Sequence, residues 1–185
     1  MIDTPTIYGA VHDLLLAIGE DPQREGLKET PERVVRAYQH LFSGYDEDPN
    51  KVLAIAFTDD FFDGMIIESH IDFVSTCEHH MLPFFGQVHI GYIPKDNRLT
   101  GASKLARVVE VFARRLQIQE RMTRQIAQAI QDVLDPIGVG VIVEAQHMCM
   151  TARGVEKENV MYGTDSMFGA FHEQSVKMEF LSRIK

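Results

Sequence analysis

The chain has 185 residues, of which 45% are apolar, so it is long enough for one domain with a substantial core and too apolar to be disordered. Its 27 acidic and 18 basic residues give a formal net charge of −9, which disfavours a binder of nucleic acids or anionic membranes but is compatible with a small anionic ligand at a local basic patch. No apolar run approaches the ~20 residues of a transmembrane helix, and neither a secretory signal nor a disulfide framework is visible. We therefore expect a soluble, cytoplasmic protein with a single domain.

The first 45 residues are predicted to form a helical arm. Thr4-Pro5 has the pattern of an N-cap followed by proline at the first helical position, and apolar residues then recur every three or four positions as far as Gly19. Thr30-Pro31 repeats this start, and a second apolar stripe ends at Gly44. These patterns predict two helices.

From residue 52 onward the pattern changes to strands that flank a pair of helices. The predicted strands cover residues 52–57, 65–74, 85–93, 138–150 and 163–171. One helix is predicted behind an N-cap at Ser103, a second from about Glu120 to Pro136, and a terminal helix over about 174–184. Strand pairs on either side of two helices favour an α+β domain with a mainly antiparallel sheet.

Both cysteines of the chain have histidine neighbours, in Cys77-Glu78-His79-His80 and His147-Met148-Cys149. Cys77 and His80 are three residues apart, so one turn can direct both side chains at an ion, while His147 and Cys149 would share one face of a predicted strand. Thiolate and imidazole suit zinc, and a Cys₂His set leaves the fourth position of a catalytic site open. The spacing does not decide which histidine completes the set. Buried core thiols beside ordinary hydrogen-bonded histidines are the alternative interpretation.

A second candidate feature is a pair of basic residues at the predicted start of a helix. Lys104 and Arg107 lie three residues apart, where free amide donors and the helix dipole already favour an anion. Arg153, just after the Cys149 segment, is a candidate third cation. The pattern indicates a phosphate site, although an ordinary solvated helix face has the same pattern.

Glu120 is a candidate for binding a purine base. Its carboxylate can accept two hydrogen bonds, and the guanine edge presents two adjacent donors, N1–H and N2–H. An acidic residue in the first turn of a helix is also favoured by the helix dipole alone, so the spacing leaves both interpretations open.

Four segments together resemble GTP cyclohydrolase I in its zinc-dependent, type IA form. They are REGLKETPERVVRAY (24–38), STCEHHMLPFFG (75–86), GASKLARVVEVFARRLQIQERMT (101–123) and EAQHMCMTARG (144–154). The match runs in order from about residue 20 to 171. It implies a tunnelling fold, in which an antiparallel sheet has two helices between its strand pairs, here preceded by the N-terminal helical segment. It also implies one domain over residues 1–185, with an arm over 1–45 and a core over 52–185.

The resemblance assigns roles residue by residue. The implied Zn²⁺ ligands are Cys77, His80 and Cys149, and the implied proton-transfer residues are His79 and His147. The implied guanine contacts are Glu120 with help from Gln119. The implied ribose and triphosphate contacts are Ser103, Lys104, Arg107, Arg153 and, in the TPERVVR segment, Arg36. Family members form homodecamers of two pentamers with active sites at subunit interfaces, so self-association is expected.

The implied reaction converts GTP and water to formate and 7,8-dihydroneopterin triphosphate, the first step of a pterin, folate or deazapurine pathway. Zinc-activated water would attack C8 of guanine while His147 protonates N7, and His79 would move protons during ring opening. One segment departs from the family pattern: after Arg153-Gly154 the family usually carries a Ser/Thr-rich run, whereas residues 156–166 here keep only Thr164 and Ser166 of it and place Asp165 among positions that are normally hydroxyls. This charge would weaken substrate binding if it bordered the triphosphate and would matter little if it faced solvent.

Two other functions stay open on the sequence alone. The zinc could be structural, in a nucleotide-binding module without catalysis, or the chain could hydrolyse a different purine nucleotide. A nucleoside deaminase is disfavoured, because the H-x-E and P-C-x-x-C pattern of those enzymes is absent.

Overall fold

A computed structural model of the chain describes residues 2–53 and 62–185. Helices α1 (Thr4–Ala17) and α2 (Thr30–Leu41) form the expected N-terminal helical segment. The prediction that Thr4 caps α1 is wrong, because Asp3 is the capping residue. Its carboxylate accepts hydrogen bonds from the amide of Thr6 at 3.2 Å and from the Thr6 hydroxyl at 2.7 Å, which satisfies an otherwise unpaired donor of the first turn.

A 3₁₀ turn (Ser43–Asp46) and the short helix α3 (Pro49–Val52) follow. Asp48 caps α3 by accepting a hydrogen bond from the amide of Asn50 at 3.0 Å. The prediction of a strand over 52–57 is therefore wrong at residue 52, which is the last residue of a helix. Residues 54–57 of that prediction lie outside the described residues.

The described strands form one sheet. They are β1 (Ile66–Cys77), β2 (Pro83–Ile93), β3 (Leu116–Gln117), β4 (Gly138–His147) and β5 (Tyr162–Gly169), in the spatial order β3-β1-β2-β4-β5. The pairs β1–β2, β2–β4 and β4–β5 are antiparallel, and β3 pairs with the end of β1 in parallel. The small β3 strand is the one departure from the expected antiparallel sheet.

Two helices, α4 (Ala102–Ala113) and α5 (Gln119–Leu134), lie between the β1–β2 and β4–β5 strand pairs in the chain. Residues Val88, Ile90 and Tyr92 alternate along β2 and are fully buried in one core with the apolar residues of both helices. The expected α+β arrangement is thus confirmed. The N-cap of α4 is Gly101, whose carbonyl accepts from the amide of Lys104 at 2.8 Å, so the prediction of Ser103 as the cap is wrong.

The helix α7 (Gln174–Arg183) contributes to a second apolar cluster on the opposite face of the sheet. Its Phe180 and the preceding Phe171 are fully buried and meet edge to face, with ring centroids 5.5 Å apart. Gly91 allows the Phe180 ring to lie close to β2, because a Cβ atom at this position would be only 2.9 Å from Cδ2 of Phe180. None of the helices among the described residues combines the length and apolar character needed to span a bilayer.

The strand predicted over 138–150 is too long, because β4 ends at His147 and the chain enters the short helix α6 (Met148–Thr151). The Thr151 hydroxyl donates to the carbonyl of His147 at 3.2 Å, and the amide of Ala152 donates to that of Met148 at 2.9 Å. These local bonds turn the backbone away from the sheet. The prediction that His147 and Cys149 share one face of a strand is therefore wrong. Both residues nevertheless remain close to the end of β1.

Candidate metal centre

Three side chains from separate elements converge at the end of the sheet. Cys77 is the last residue of β1, His80 lies in the turn between β1 and β2, and Cys149 lies in α6. Their candidate ligand atoms all lie within 4.8 Å of one another. The turn is closed by two backbone hydrogen bonds of 2.9 Å: the amide of Met81 donates to the carbonyl of Cys77, and the amide of Cys77 donates to the carbonyl of Leu82. The local spacing of Cys77 and His80 is what made this half of the cluster recognisable.

The donor set fits zinc. Ligand atoms that share one tetrahedral zinc ion at about 2.0–2.3 Å lie about 3.3–3.8 Å apart, so three atoms that all lie within 4.8 Å of one another need to approach by about 1 Å or slightly more at most. Burial and the neighbouring Cys77 raise the pKa of the Cys149 thiol. Two thiols placed this closely resist ionisation unless a cation compensates them, and a bound divalent ion supplies that compensation. The Arg153 guanidinium donates to Nε2 of His80 at 3.2 Å, at the edge of the cluster.

Gln119 connects the start of α5 to the end of β4. Its Nε2 donates to the main-chain carbonyls of Val143 at 3.0 Å and Tyr162 at 2.8 Å, and its Oε1 lies 2.8 Å from Nε2 of His147. Since carbonyls can only accept, the amide nitrogen must face them, and the amide oxygen must face the ring. Nε2 of His147 is therefore the protonated nitrogen, and Nδ1 of the neutral ring is the basic one. The side chain of Gln119 is 1% exposed and fully engaged within the chain.

Two threonines support this amide. The Thr123 hydroxyl donates to the carbonyl of Gln119 at 2.8 Å, so it accepts from the Thr164 hydroxyl at 2.7 Å. The Thr164 oxygen in turn lies 3.1 Å from Nε2 of Gln119. Thr123 was not predicted as part of the site, because a threonine inside a helix carries no signal of its own.

Glu120 presents an ionised carboxylate to the same pocket. The Tyr162 hydroxyl donates to its Oε1 at 2.6 Å. This bond lowers the pKa of the carboxyl group, and a weaker contribution in the same direction comes from the backbone amide of Glu120. Burial raises the pKa, but its effect is smaller than that of the Tyr162 bond. Tyr162 was also missed, because no spacing rule links two residues 42 positions apart.

His147 lies between two aromatic rings. Phe84 stacks on it with centroids 4.6 Å apart and planes 6° apart, and Tyr162 meets it edge-on at 5.7 Å. Burial lowers the pKa of the imidazole, and the nearby Glu120 charge only partly opposes this. His147 is therefore mainly neutral at pH 7.

These groups line one pocket of about 160 Å³. Of the residues implicated by sequence, its wall contains Cys77, His79, Gln119, Glu120, His147 and Cys149. The pocket thus brings together candidate metal ligands, two further imidazoles and a carboxylate. His79 lies near the cluster, with Nδ1 3.9 Å from Sγ of Cys77.

Four of the five expected ribose and phosphate contacts lie away from the metal pocket. Lys104 and Arg107 line a different pocket of about 550 Å³, which also contains Lys51 and shares no described lining residue with the metal pocket. Arg36 donates to Glu32 of its own helix at 2.6 Å, and Ser103 is exposed in the first turn of α4. Among the expected phosphate contacts, Arg153 is the one that touches the metal cluster.

Asp165 does not add charge to the metal pocket. Successive strand residues face opposite sides, so the Thr164 side chain points towards α5 and that of Asp165 towards α7. Its carboxylate accepts from Nζ of Lys177 at 3.1 Å. The acid that departs from the family pattern is therefore neutralised on the far face of the sheet.

The fold and the pocket together place the chain among α+β enzymes with a Cys₂His cluster that can hold a metal ion. The chain belongs to the GTP cyclohydrolase I family, whose family model matches residues 7–185, and it is a hydrolase. It is 55% identical over 171 residues to GTP cyclohydrolase 1 of Porphyromonas gingivalis, covering 92% of this chain and 88% of that protein.

Two further relatives carry the same name. GTP cyclohydrolase 1 of Chlorobium phaeovibrioides is 55% identical over 177 residues, covering 95% of this chain and 79% of that protein. That of Synechococcus sp. is 51% identical over 185 residues, covering 100% of this chain and 80% of that protein. The solved structure of an archaeosine synthase, QueF-like, in the apo form is similar over 57% of this chain and 96% of its own, with a TM-score of 0.41 and 14% identity.

Proposed function

We propose that this chain hydrolyses GTP to formate and 7,8-dihydroneopterin triphosphate, with zinc held by Cys77, His80 and Cys149. The observation that carries the proposal is the single pocket in which this Cys₂His cluster adjoins His147 and the Glu120 carboxylate. When bound by three protein ligands, zinc supplies Lewis acidity that makes a water molecule acidic enough to be a nucleophile near pH 7.

His147 is proposed to give a proton to N7 of the guanine ring, which makes C8 electrophilic. The bond from Nε2 to Gln119 supports Nδ1 as the nitrogen that takes up and delivers this proton. The stacked Phe84 ring holds the imidazole plane, so the direction of transfer is fixed before substrate arrives. General acid–base groups of this kind contribute ~10²–10⁴-fold to rate.

Glu120 is proposed to select guanine by accepting hydrogen bonds from N1–H and the 2-amino group. Its lowered pKa keeps it ionised at neutral pH, as acceptance from both donors requires. Adenine has an acceptor at N1 and no 2-amino group, so it would leave the carboxylate unpaired. Because the Gln119 side chain is occupied within the chain, its contribution to guanine binding is indirect, through His147.

His79 is proposed to move protons during ring opening and the steps that follow. It lies in the pocket wall next to the candidate ligand Cys77, and its exposure lets it exchange protons with solvent. An imidazole can both donate and accept a proton within one cycle.

The ribose and triphosphate are proposed to contact one hydroxyl and four basic side chains, those of Ser103, Lys104, Arg107, Arg153 and Arg36. The pocket around Lys104 and Arg107 is lined by four basic and three acidic residues and is separate from the metal pocket of the same chain, which favours an active site completed by a neighbouring copy. We propose a homodecamer of two pentamers. Exposed apolar side chains at the end of α1 and just after it, including Leu14, Leu16 and Ile18, support self-association because a solvated helix would not favour them.

The test is to incubate protein of measured zinc content with GTP, and to measure formate and the fluorescence of the oxidised pterin. ATP is the matched control nucleotide. Formate and pterin from GTP alone support the proposal. Zinc-loaded protein that releases neither from GTP would contradict it and favour a structural zinc in a nucleotide-binding module. Release from ATP at an equal rate would favour a broader purine hydrolase.

A further inference from the structure

Tyr162 is the first residue of β5 and forms part of the wall of the metal pocket. Its hydroxyl lies 2.6 Å from Oε1 of Glu120, and its ring meets the His147 ring edge-on at 5.7 Å. Its carbonyl accepts from Nε2 of Gln119 at 2.8 Å. One residue thus contacts both groups proposed to act on guanine and the amide that orients one of them.

The direction of the Tyr162–Glu120 hydrogen bond follows from the chemistry of the two groups. An ionised carboxylate can only accept, so the phenolic hydrogen must point at Oε1. The bond is charge-assisted and correspondingly short. It lowers the pKa of Glu120 and raises that of Tyr162, so both groups keep these roles across the neutral range. It uses one of about four acceptor positions of the carboxylate, so both oxygens can still accept from a ligand.

A tyrosine at the sheet edge needs no functional explanation by itself, because aromatic residues are favoured in strands. The side chain of Tyr162, however, does not extend freely into solvent. Although the residue is 40% exposed, its hydroxyl is directed into the pocket onto a carboxylate of another element. That hydrogen bond restrains the Glu120 carboxylate before any ligand binds.

We propose that Tyr162 is a positioning residue for purine selection, which holds the Glu120 carboxylate in the plane where its two oxygens accept from N1–H and from the 2-amino group of guanine. This inference rests on the proposed function. A carboxylate that rotates freely meets one donor at a time, so it distinguishes poorly between a base with both donors and a base with one. Inosine triphosphate keeps N1–H and lacks the 2-amino group, and it is therefore the discriminating probe.

The experiment compares wild-type protein with Tyr162→Phe, which keeps the ring against His147 and removes only the hydroxyl. Steady-state kinetics with GTP and with inosine triphosphate are measured on both proteins at matched zinc content. We expect KM for GTP to rise about 10-fold in Tyr162→Phe, with kcat nearly unchanged and a smaller rise for inosine triphosphate. The preference for GTP over inosine triphosphate should therefore narrow. Tyr8→Phe, which removes a hydroxyl from α1, is the matched control.

A second comparison isolates the pair. In a Glu120→Ala background no carboxylate remains to be held, so adding Tyr162→Phe should change KM for GTP by less than about 2-fold. A change as large as in the wild-type background would overturn the inference, because the hydroxyl would then act on something other than Glu120.

The remaining outcomes separate the inference from the function beneath it. If wild-type protein releases formate from GTP and Tyr162→Phe has unchanged KM and nucleotide preference, the inference fails while the proposed function stands. If Tyr162→Phe loses zinc or lowers kcat equally for both nucleotides, Tyr162 is structural and the inference also fails. If zinc-loaded wild-type protein releases no formate from GTP, the proposed function fails and this inference with it.

Discussion

Oε1 of Gln119 and Nε2 of His147 lie 2.8 Å apart and join the start of α5 to the end of β4. The donors of the same amide are committed to two main-chain carbonyls, so this contact fixes which nitrogen of the imidazole carries hydrogen. The proposed proton transfer by His147 would therefore depend on a residue that need not touch the substrate.

Replacing Gln119 by leucine should slow the reaction without removing the metal. We expect kcat to fall by about 10²-fold, because neither the orientation nor the tautomer of His147 is then held. The free energy of unfolding should fall by about 2–4 kcal/mol, because the buried carbonyl of Val143 and the partly buried carbonyl of Tyr162 lose a donor. Kinetics, zinc content and chemical denaturation measure these effects. The control is Gln128→Leu, which removes an amide on the same helix that donates to Asp132. This variant should leave kcat, zinc content and the free energy of unfolding unchanged.

Metal uptake should release protons at neutral pH. Because the pKa of the Cys149 thiol is raised, its sulfur is protonated at pH 7 and must lose a proton to bind zinc. The apparent zinc affinity should therefore increase with pH until the raised pKa is passed, and should weaken as the pH falls. Calorimetric titration of metal-free protein in buffers of different ionisation enthalpy counts the released protons. A zinc affinity that is constant between about pH 6 and 8 would contradict thiolate ligation.

Arg121 ties the first turn of α5 to the turn that carries the candidate ligand His80. It donates to both oxygens of Glu78, at 2.6 Å and 3.0 Å. Both side chains are partly exposed, so Arg121→Ala should change the unfolding temperature by less than about 2 °C. KM for GTP should nevertheless rise about 3–10-fold, because the two halves of the pocket are less well aligned. Arg124→Ala, an exposed change one turn further along, is the control; equal KM values in the two variants would refute the alignment role.

If active sites are shared between copies, two defective chains should restore each other. Cys149→Ser removes a proposed metal ligand, and Arg107→Ala removes a proposed phosphate contact. When the two variants are co-expressed with different tags, random assembly makes about a quarter of interfacial sites intact. Formate release at low GTP should then exceed that of either variant alone. Activity equal to the average of the two separate variants would indicate that each site lies within one chain.

The sequence predicted those parts of the site that depend on short-range geometry. Cys77 and His80 are three residues apart, and a single turn brings them together, so their spacing was informative. The α4–α5 pair and its flanking strands followed from apolar periodicity, because burial of one face imposes that pattern on helix and strand alike.

What the sequence could not predict depends on contacts distant along the chain. The end of β4 was placed three residues too late, since nothing in the apolar pattern marks where the Met148–Thr151 turn leaves the sheet. The hydrogen bond from Gln119 to the carbonyl of Val143 depends on which strand lies beside α5. The order of elements along the chain does not determine that neighbour. Pairing of Tyr162 with Glu120 likewise required the register of β5.

The most direct test of the central claim measures bound zinc and formate release from GTP in the same samples of three proteins. Wild type should bind zinc and release formate. Cys149→Ser should lose both, because one of three ligands is gone, whereas His147→Ala should keep its zinc and lose at least about 10²-fold of its turnover. Formate release by Cys149→Ser at the wild-type rate, or by His147→Ala with zinc bound at that rate, would contradict a reaction in which a Cys₂His metal site and an adjacent imidazole act together.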